Sequence, residues 1–581
     1  MSEFFDGDTL PAGLQLLADG LKIGAGGKPG LSLFCRSRGV ASEVEWKLRK
    51  AAAGEIEWSM IMGLASLPEQ IDGLKQLNSR GEATGVVLDR GLVIPNWVTG
   101  LPEELRERAP KGTSFVLGGR DEHVAIAEAA PIMPCFNDWH IGSPAALANT
   151  IAAVEAGGSY SGVLAQYVWD LPYVESDVDT VAENIKAIGV IASKCHQGFV
   201  VDSYMDDGMP AQFADNASLV GYAMLEHYVV DTLCGARYAT GFGQLISDIP
   251  TKIAIWLALD GVLAADHPPV SYVYGNTIDA SESLLTSNFG VSAAEVMAFA
   301  ATERRYRTGA AILPNPATEA LRVPTVQEIF EVHSVARKAA TKAKEFEGIL
   351  DFRAIEALRD ELVEVGRSFF ANTIWGMAEM GIDVEDPLQL LLGMRRLGAS
   401  RLESLFHPGS RDATQPNGVV PVSRTEFTRR AAAMVESELE AVRDNGSGSK
   451  LRGRGFVVAS GDTHAYGLYV LGRVLGALGA DVIDLGTDTD PEEIAATLRG
   501  LRDDTAVAIS THNGQCLGYG ERLMSLLPAG YQGRVFMGGR LNAIPDGRSE
   551  PEDASPLLRQ MGIHPCARVA DMVRSFAAAL S

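Results

Sequence analysis

The sequence lacks the features that would assign it to several large classes of protein. It has no apolar run of the roughly 20 residues that a membrane-spanning helix needs, so we expect no association with membranes. Residues 1–11 carry acids and no basic region, so we expect neither a signal nor a transit peptide. Positive charge is scarce: 50 lysines and arginines face 74 acids, and the net charge of −24 disfavours binding to nucleic acid.

Paired cysteines are missing as well. The six cysteines are scattered, without the spacing of a zinc site or a disulfide framework. We therefore expect a reducing, cytoplasmic environment. The remaining composition, with 46% hydrophobic and 21% charged residues, is ordinary for a globular protein. At 581 residues the chain is too long for one compact core, which predicts two or three domains.

Apolar, strand-like runs alternate with helical stretches through the first half of the chain. This repetition favours a (β/α)8 barrel of TIM type, with an open doubly wound sheet as the alternative. We assign residues 1–350 to the barrel domain and expect its active site just past the C-terminal ends of the strands. The predicted strands are Gly30–Cys35, Glu57–Leu64, Thr84–Leu88, Ser114–Leu117, Ile132–Phe136, Gly198–Tyr204, Arg237–Gly241, Val270–Tyr274 and Glu295–Phe299.

The rest of the chain divides into a helical part and a second α/β part. Residues 351–445 combine helical patterns with turn-forming residues, which predicts a helical extension and a linker. Residues 446–581 return to short alternating strands and helices. This pattern predicts a flavodoxin-like, doubly wound domain, which would bind its ligand at the C-terminal ends of its strands.

A candidate metal-ligand motif follows the first predicted strand of this C-terminal domain. The motif is Asp462-Thr463-His464, with Gly467 at the start of the next helix. A neutral histidine can bind a metal through one ring nitrogen, while a nearby carboxylate accepts from the other ring N–H. Gly467 leaves room for close approach. Taken alone, the motif is also compatible with a plain loop that has a capping aspartate and an exposed histidine.

Two later loops are predicted to lie at the same edge of the sheet. The third strand ends in Ser510-Thr511-His512, and the fourth ends in Gly538-Gly539. Ser510 offers a hydroxyl that can hydrogen-bond a buried heterocycle nitrogen. Paired glycines allow a nucleotide to lie against the backbone. Together the three loops favour a ligand site over the plain loop.

These loops resemble those of the cobalamin-binding domain that methionine synthase, methylmalonyl-CoA mutase and glutamate mutase share. The resemblance extends from about residue 456 to residue 581. It implies that His464 replaces the cofactor's own base as the lower ligand of cobalt. It also implies that Asp462 is the hydrogen-bond partner of this histidine.

The same resemblance assigns the other two loops to the displaced part of the cofactor. It implies that Ser510, with Thr511 beside it, contacts the dimethylbenzimidazole base, and that Gly538 and Gly539 flank the nucleotide tail. The family has Ser-x-Leu at the third strand, whereas this chain has His512 in place of the leucine. We therefore expect different packing on the base.

A series of short stretches in the barrel segment carries a second resemblance: His140–Pro144, Glu155–Gly158, Leu171–Tyr173, Ala239–Gly243, Asp248–Ile249, Thr318–Ala320 and Val323–Thr325. In order and approximate spacing they resemble the catalytic subunit of glutamate mutase and its relative 2-methyleneglutarate mutase. This implies an adenosylcobalamin-dependent radical isomerase, in which cobalt–carbon homolysis yields the radical that takes a substrate hydrogen. The resemblance also implies a homodimer or larger homo-oligomer.

The family's substrate arginines are matched only in part. Arg90 matches one by its spacing before His140, and Arg38 is a looser match to another. Arginine suits this role because its guanidinium pairs with a carboxylate through two hydrogen bonds. Trp139 stands where a further arginine falls. Both arginines could instead be surface residues paired with nearby acids.

Other candidate residues have structural alternatives as well. Tyr173 matches a tyrosine that contacts the substrate, although it could simply pack on the rim. Glu319 matches an acid near the adenosyl ribose, although acids also favour helix N-termini. His140 could contact the ligand, or it could be a structural histidine that is hydrogen-bonded within the protein. The family's glutamate for the substrate amine aligns with Val163, which cannot pair with an ammonium group.

The resemblance therefore implies a mutase that acts on a small carboxylic acid, 2-methyleneglutarate-like rather than glutamate. Because Trp139 removes a carboxylate partner, a monocarboxylate or a less polar acid is the open alternative. The alternatives are a cobalamin-dependent methyltransferase and a non-catalytic cobalamin binder or sensor. The cysteine spacing offers no zinc site for a thiol methyl acceptor, and no basic helix suggests DNA binding by a sensor. The candidate catalytic residues are Arg90, Tyr173, Arg38, His140 and Glu319.

Overall fold

The computed structural model divides the chain into two compact units, Met1–Glu426 and Phe427–Ser581. The described residues are 5, 10–109, 114–174, 176–281, 283–412, 415–443, 447–461, 465–487, 489–511, 516–528, 530–543 and 552–580.

The first unit is built on a sheet of parallel strands that follow one another in chain order. An isolated parallel bridge joins Trp58 to Ile312, and the Ile312 N–H donates to the Glu57 carbonyl at 2.9 Å. The first strand therefore meets the last, which confirms the predicted barrel as a nearly closed, eight-stranded parallel barrel. Its strands are β1 (Ser59–Met62), β2 (Arg90–Val93), β3 (Met133–Phe136), β4 (Tyr160–Ser161), β5 (Val200–Tyr204), β6 (Tyr238–Phe242), β7 (Val270–Tyr274) and β8 (Ala311–Leu313).

Helices surround this barrel and extend beyond it. Ser42, Ser66 and Asp248 each accept a hydrogen bond from the third N–H of the helix that follows, as good N-caps do. The helices of this unit are α1 (Gly13–Gly26), α2 (Leu33–Arg38), α3 (Glu43–Ala53), α4 (Leu67–Thr84), α5 (Glu103–Arg106), α6 (Arg120–Ala127), α7 (Ala146–Ala156), α8 (Asp177–Ala192), α9 (Asn216–His227), α10 (Ile249–Val262), α11 (Leu285–Tyr306), α12 (Val326–Thr341), α13 (Ala343–Phe346), α14 (Phe352–Glu379) and α15 (Pro387–Phe406).

The second unit has a five-stranded parallel sheet in the order β10-β9-β11-β12-β15. In β9, Phe456 and Val458 pack into one apolar cluster, and Val457 and Ala459 pack into another, as expected for a sheet covered on both faces. The strand order and the two clusters agree with the predicted doubly wound domain. Its elements are α16 (Glu426–Arg443), β9 (Gly455–Ser460), α17 (Ala465–Ala477), β10 (Asp481–Asp484), α18 (Pro491–Leu498), β11 (Ala506–Thr511), α19 (Cys516–Leu526), β12 (Val535–Gly539), β13 (Asn542–Ala543), β14 (Glu552–Asp553), α20 (Ser555–Gln560), β15 (His564–Cys566) and α21 (Val569–Ala579).

Four of the predicted barrel strands are wrong. Gly30–Cys35 runs into helix α2, and Glu295–Phe299 lies inside the long helix α11. Ser114–Leu117 has no regular structure, and Thr84–Leu88 precedes the strand that begins at Arg90. A short apolar run fits a buried helix as well as a buried strand, which explains the first two errors.

Helix α3 packs across the N-terminal ends of the barrel strands. The Glu43 N–H donates to the Ser159 hydroxyl at 3.0 Å, just before β4. Glu43 Oε1 lies 2.9 Å from Arg90 Nε, and Arg90 Nη2 lies 3.4 Å from Asp202 Oδ2. Lys47 pairs with Glu57 and donates to the Ser271 carbonyl at 2.9 Å. These ionised groups are fully buried, so each depends on its partners for compensation.

We expect Glu43→Ala to destabilise the first unit strongly. Removal of this carboxylate leaves the buried Arg90 guanidinium with less compensation, a change that typically costs about 3–5 kcal/mol. Glu55→Ala is the matched control, because Glu55 is 64% exposed and its ion pair with Lys50 is loose. Urea denaturation followed by circular dichroism measures both. Equal stability of the two variants would contradict a network role for Glu43.

His333, on the inner side of α12, gives a second prediction. Within the described part of the chain, neither of its ring nitrogens has a hydrogen-bond partner, and burial lowers its pKa to about 3. Since the unfolded chain takes up the proton near pH 6.5, acid favours unfolding between about pH 6.5 and about pH 3.

We therefore expect His333→Leu to become increasingly stabilising, relative to wild type, as the pH falls through that window. The difference should grow by up to about 1.4 kcal/mol per pH unit. Denaturation midpoints measured across this range give the difference, with His196→Leu as the control because His196 is exposed. A difference that does not change with pH would show that His333 is not a neutral buried group.

Candidate functional site

Polar residues follow neighbouring barrel strands at the C-terminal end of the barrel. Asn137 and Asp138 come directly after β3, Gln166 comes shortly after β4, and Asp206 and Asp207 come directly after β5. Because the strands are parallel, these residues meet at one end of the barrel, which we call the mouth.

Gln166 organises one sector of the mouth. Its carbonyl oxygen accepts from the Trp139 N–H at 3.0 Å, which fixes the orientation of the amide. Its amino group then points to two carboxylates, with Asp138 Oδ1 at 3.3 Å and Asp207 Oδ2 at 3.5 Å. Gln166 itself is buried, whereas both aspartates are half-buried. The two carboxylates therefore flank one amide nitrogen at the opening of the barrel.

Trp139 has an unusual backbone in the loop that carries Asp138. Its φ of +67° is in the left-handed region, which bulky residues rarely adopt. Its carbonyl accepts from the Ser143 hydroxyl and from Asn149 Nδ2, both at 2.9 Å. Strain of this kind persists only where the surroundings hold it, and it is typical of functional loops.

The opposite sector of the mouth has buried polar atoms that lack partners. Tyr274, at the end of β7, lies in the cluster that lines the barrel interior together with Val163 and Leu313. Within the described residues, neither the Tyr274 hydroxyl nor Asn315 Oδ1 has a hydrogen-bond partner. The Asn315 amide is oriented by its amino group, which donates to the Asn276 carbonyl at 3.0 Å. Unpaired buried polar atoms are costly, so they indicate a site for a ligand or water.

The acids of the mouth titrate near neutrality. Burial raises the pKa of Asp138 to about 7, and burial together with Asp138 and Asp206 raises that of Asp207 to about 8. Burial alone raises the pKa of Glu319 to about 7. Carboxyl groups in this range can both donate and accept a proton at neutral pH.

Sequence analysis did not select Asp138, Gln166, Asp207 or Tyr274. A usable signal was present, because β3, β5 and β7 were all predicted and the residues just past a barrel strand are the first to consider. Gln166 had no such signal, since its strand β4 has only two residues.

The two candidate arginines do not lie at the mouth. Arg90 is the first residue of β2, at the N-terminal end, where it belongs to the buried ion network with Glu43 and Asp202. The expectation that Arg90 follows the C-terminal end of a strand is therefore wrong. Arg38 ends α2, is exposed, and places its guanidinium over the rings of Phe34 and Trp46.

Tyr173, Glu319 and His140 lie in loops after barrel strands. Tyr173 is 39% exposed, has a φ of +73°, and donates to the Arg108 carbonyl at 3.1 Å. Glu319 follows β8 and is half-buried. His140 is fully buried, and both of its ring nitrogens are occupied, by the Asp138 carbonyl at 2.8 Å and by His123 Nε2 at 2.8 Å. These contacts leave His140 no ring nitrogen for a ligand.

The second unit has its own crevice at the C-terminal edge of the sheet. The strand register sets Ser460 of β9 beside Ser510 of β11, and Ser510 beside Gly538 of β12. Thr511 pairs with Gly539 in the same register. The three loops that the sequence predicts to form the cofactor site therefore start from adjacent strands.

The crevice has one buried polar atom without a described partner and two glycines at close quarters. Ser510 is buried, and in the described part of the chain its hydroxyl has no hydrogen-bond partner. Gly539 has a φ of +99°, and a Cβ there would lie 2.2 Å from the Thr511 carbonyl oxygen. At Gly538 a Cβ would lie 3.1 Å from the Cys566 carbonyl oxygen. Only glycine keeps the backbone at Gly539, whereas a side chain at Gly538 would need a small shift of its neighbour.

The remaining cofactor candidates are placed only in part. Gly467 is in the first turn of α17 and is half-buried. Asp462, Thr463, His464 and His512 lie outside the described residues.

Comparison with known proteins adds no assignment. No family model matches the chain, and no curated protein is significantly similar to it. Among the described residues, no three histidine, cysteine or acidic side chains are grouped so as to hold a metal ion. None of the described helices has the length and apolar character needed to cross a membrane.

Proposed function

We propose that the protein is an adenosylcobalamin-dependent isomerase, in which the second unit binds the cofactor and the barrel mouth binds the substrate. The observation that carries the proposal is the crevice at Ser510, Gly538 and Gly539. These residues lie at the C-terminal ends of β11 and β12, and β11 pairs with β9, which the Asp462-Thr463-His464 motif follows in the sequence. A buried hydroxyl without a described partner, near a glycine position that excludes any side chain, suits a base and a nucleotide tail.

Each crevice residue has a defined task in this proposal. His464 would hold the metal of the cofactor, and Asp462 would accept from its other ring N–H. The Ser510 hydroxyl would donate to a nitrogen of the displaced base, and Gly538 and Gly539 would leave room for the nucleotide tail. When bound, the cofactor would supply radical chemistry.

The barrel contributes binding, orientation and protection. The apolar and aromatic lining, with Val163, Tyr272 and Tyr274, excludes water from the interior. Asp138 and Asp207 orient the substrate, and their near-neutral pKa values let them hold or release a proton at its polar group. The resemblance assigns Glu319 to the adenosyl ribose, and that role stays a prediction. Because Arg90 is paired at the N-terminal end of the barrel, we place catalysis at the mouth.

The predicted carboxylic acid substrate stays a prediction, as do the cytoplasmic location and the homo-oligomer. The two arginines that were expected to contact the substrate carboxylate do not lie at the mouth, since Arg90 is paired at the N-terminal end of the barrel and Arg38 is on the exterior. The proposal therefore names a cofactor and a reaction class and leaves the substrate open.

Anaerobic reconstitution of the full chain tests the cofactor assignment. We expect wild type to bind adenosylcobalamin with its own base displaced, and a histidine nitrogen to split the cobalt signal in electron paramagnetic resonance after photolysis. His464→Ala should lose this splitting, whereas His196→Ala, at an exposed histidine, should keep it. An unchanged spectrum in His464→Ala refutes the ligand assignment.

Ser510→Ala tests the crevice separately. Loss of one hydrogen bond to the base should weaken cofactor binding by about ten-fold, with the histidine splitting retained. Methyl transfer from a methyl donor to bound cobalamin, without radical formation on any substrate, would favour a methyltransferase instead. Binding without either reaction would favour a sensor.

A further inference from the structure

The barrel mouth is rich in hydrogen-bond acceptors and poor in positive charge. Asp138 and Asp207 both lie within hydrogen-bond distance of the Gln166 amino group. Among the described residues, no lysine or arginine forms an ion pair with Asp138, Asp207 or Glu319. Asp206 differs from these acids, because its carboxylate accepts hydrogen bonds from the N–H groups of Gly243 and Leu245.

The positive charges near these acids already have partners. Lys252 lies 2.6 Å from Glu295 and donates to the Tyr274 carbonyl at 3.1 Å. Arg106 donates to the Leu101 and Leu117 carbonyls. A substrate carboxylate would therefore meet like charges in the mouth, whereas a substrate cation would meet opposite ones.

Two buried atoms point to a ligand independently of the acids. Tyr274 is 2% exposed and Asn315 is 1% exposed, and neither the tyrosine hydroxyl nor Asn315 Oδ1 has a partner among the described residues. Tyr274 is the last residue of β7 and Asn315 closely follows β8, so both lie at the mouth. An amide oxygen can only accept, so Asn315 needs a donor.

We propose that the mouth binds a substrate with a primary ammonium group, held between the carboxylates of Asp138 and Asp207. An ammonium group has three N–H donors, which suits two carboxylates and one further acceptor. Gln166 is the positioning residue, since its amide holds both carboxylates. The reaction on such a substrate rests on the proposed function, but the binding does not.

The titration of the mouth supports this assignment. Burial without a countercharge raises the pKa values of Asp138 and Asp207. An ammonium group placed between them would lower both pKa values and release the bound proton. Binding should therefore strengthen as the pH rises from about 6 to about 8, the range in which the two free carboxyl groups ionise.

Three probes with the same five-carbon chain separate the possible substrate classes: 1,5-diaminopentane, 1,5-pentanediol and pentanedioate. Titration calorimetry on the full-length protein, in about 0.15 M salt to screen the acidic surface, should detect one-to-one binding of the diamine alone. Tighter binding of pentanedioate, or equal binding of the diol, overturns the proposal.

Matched variants test whether the two aspartates are responsible. Asp207→Asn and Asp138→Asn should each weaken diamine binding by about ten-fold or more, the usual effect of losing a charge-assisted hydrogen bond. Glu361→Gln removes one charge at an exposed position of α14 and should leave binding unchanged. Circular dichroism verifies that each variant is folded. Equally weakened diamine binding in all three variants would show that overall surface charge causes the effect, and it would overturn the proposal.

The same titrations, repeated with and without adenosylcobalamin, distinguish this inference from the proposed function. Diamine binding that persists in a protein unable to bind the cofactor supports the amine site while the proposed function fails. Cofactor binding with the expected histidine splitting, but without diamine binding at any pH, overturns the amine site while the proposed function stands.

Discussion

Burial of charge is the constraint on which the barrel depends, and its two ends meet that constraint differently. At the N-terminal end, Glu43, Arg90 and Asp202 compensate one another within a few ångströms. At the mouth, the Gln166 amide is the only described group that hydrogen-bonds the side chains of Asp138 and Asp207. An uncompensated carboxyl group in a protein interior takes up a proton or pairs with a cation. The paired end thus stabilises the barrel, and the other end is the one at which we propose binding.

The sequence predicted the architecture better than the limits of its strands. β7 was predicted with the bounds Val270–Tyr274 that it has, because its apolar run is flanked by turn residues. β4 was missed because two residues, Tyr160–Ser161, give no detectable pattern. Glu295–Phe299 was predicted as a strand because periodicity over five residues cannot exclude a helix, whereas the 22 residues of α11 settle the question.

The candidate site was predictable where it depends on strand order and was not where it depends on side-chain pairing. The loops after β9, β11 and β12 could be placed on one edge, since parallel strands share a C-terminal end. Arg90 could not be assigned, because a shift of the strand start from Thr84 to Arg90 moves the residue from the mouth to the opposite end. The ion pair with Glu43 also joins residues far apart in the sequence, and no local pattern reveals it.

The resemblance to cobalamin-dependent mutases therefore requires different features of each unit. In the second unit, the features that a cobalamin site would need are small and local: a serine without a described partner and a glycine without room for a side chain. Such features depend on backbone geometry and can be retained while the substrate changes. In the barrel, the specificity that we propose depends on the sign of the charge at the mouth, where the described residues include aspartates without an ion-pair partner and neither of the two candidate arginines. A radical cofactor imposes no charge on its substrate, so retention of the cofactor site and replacement of the substrate site are compatible within one chain.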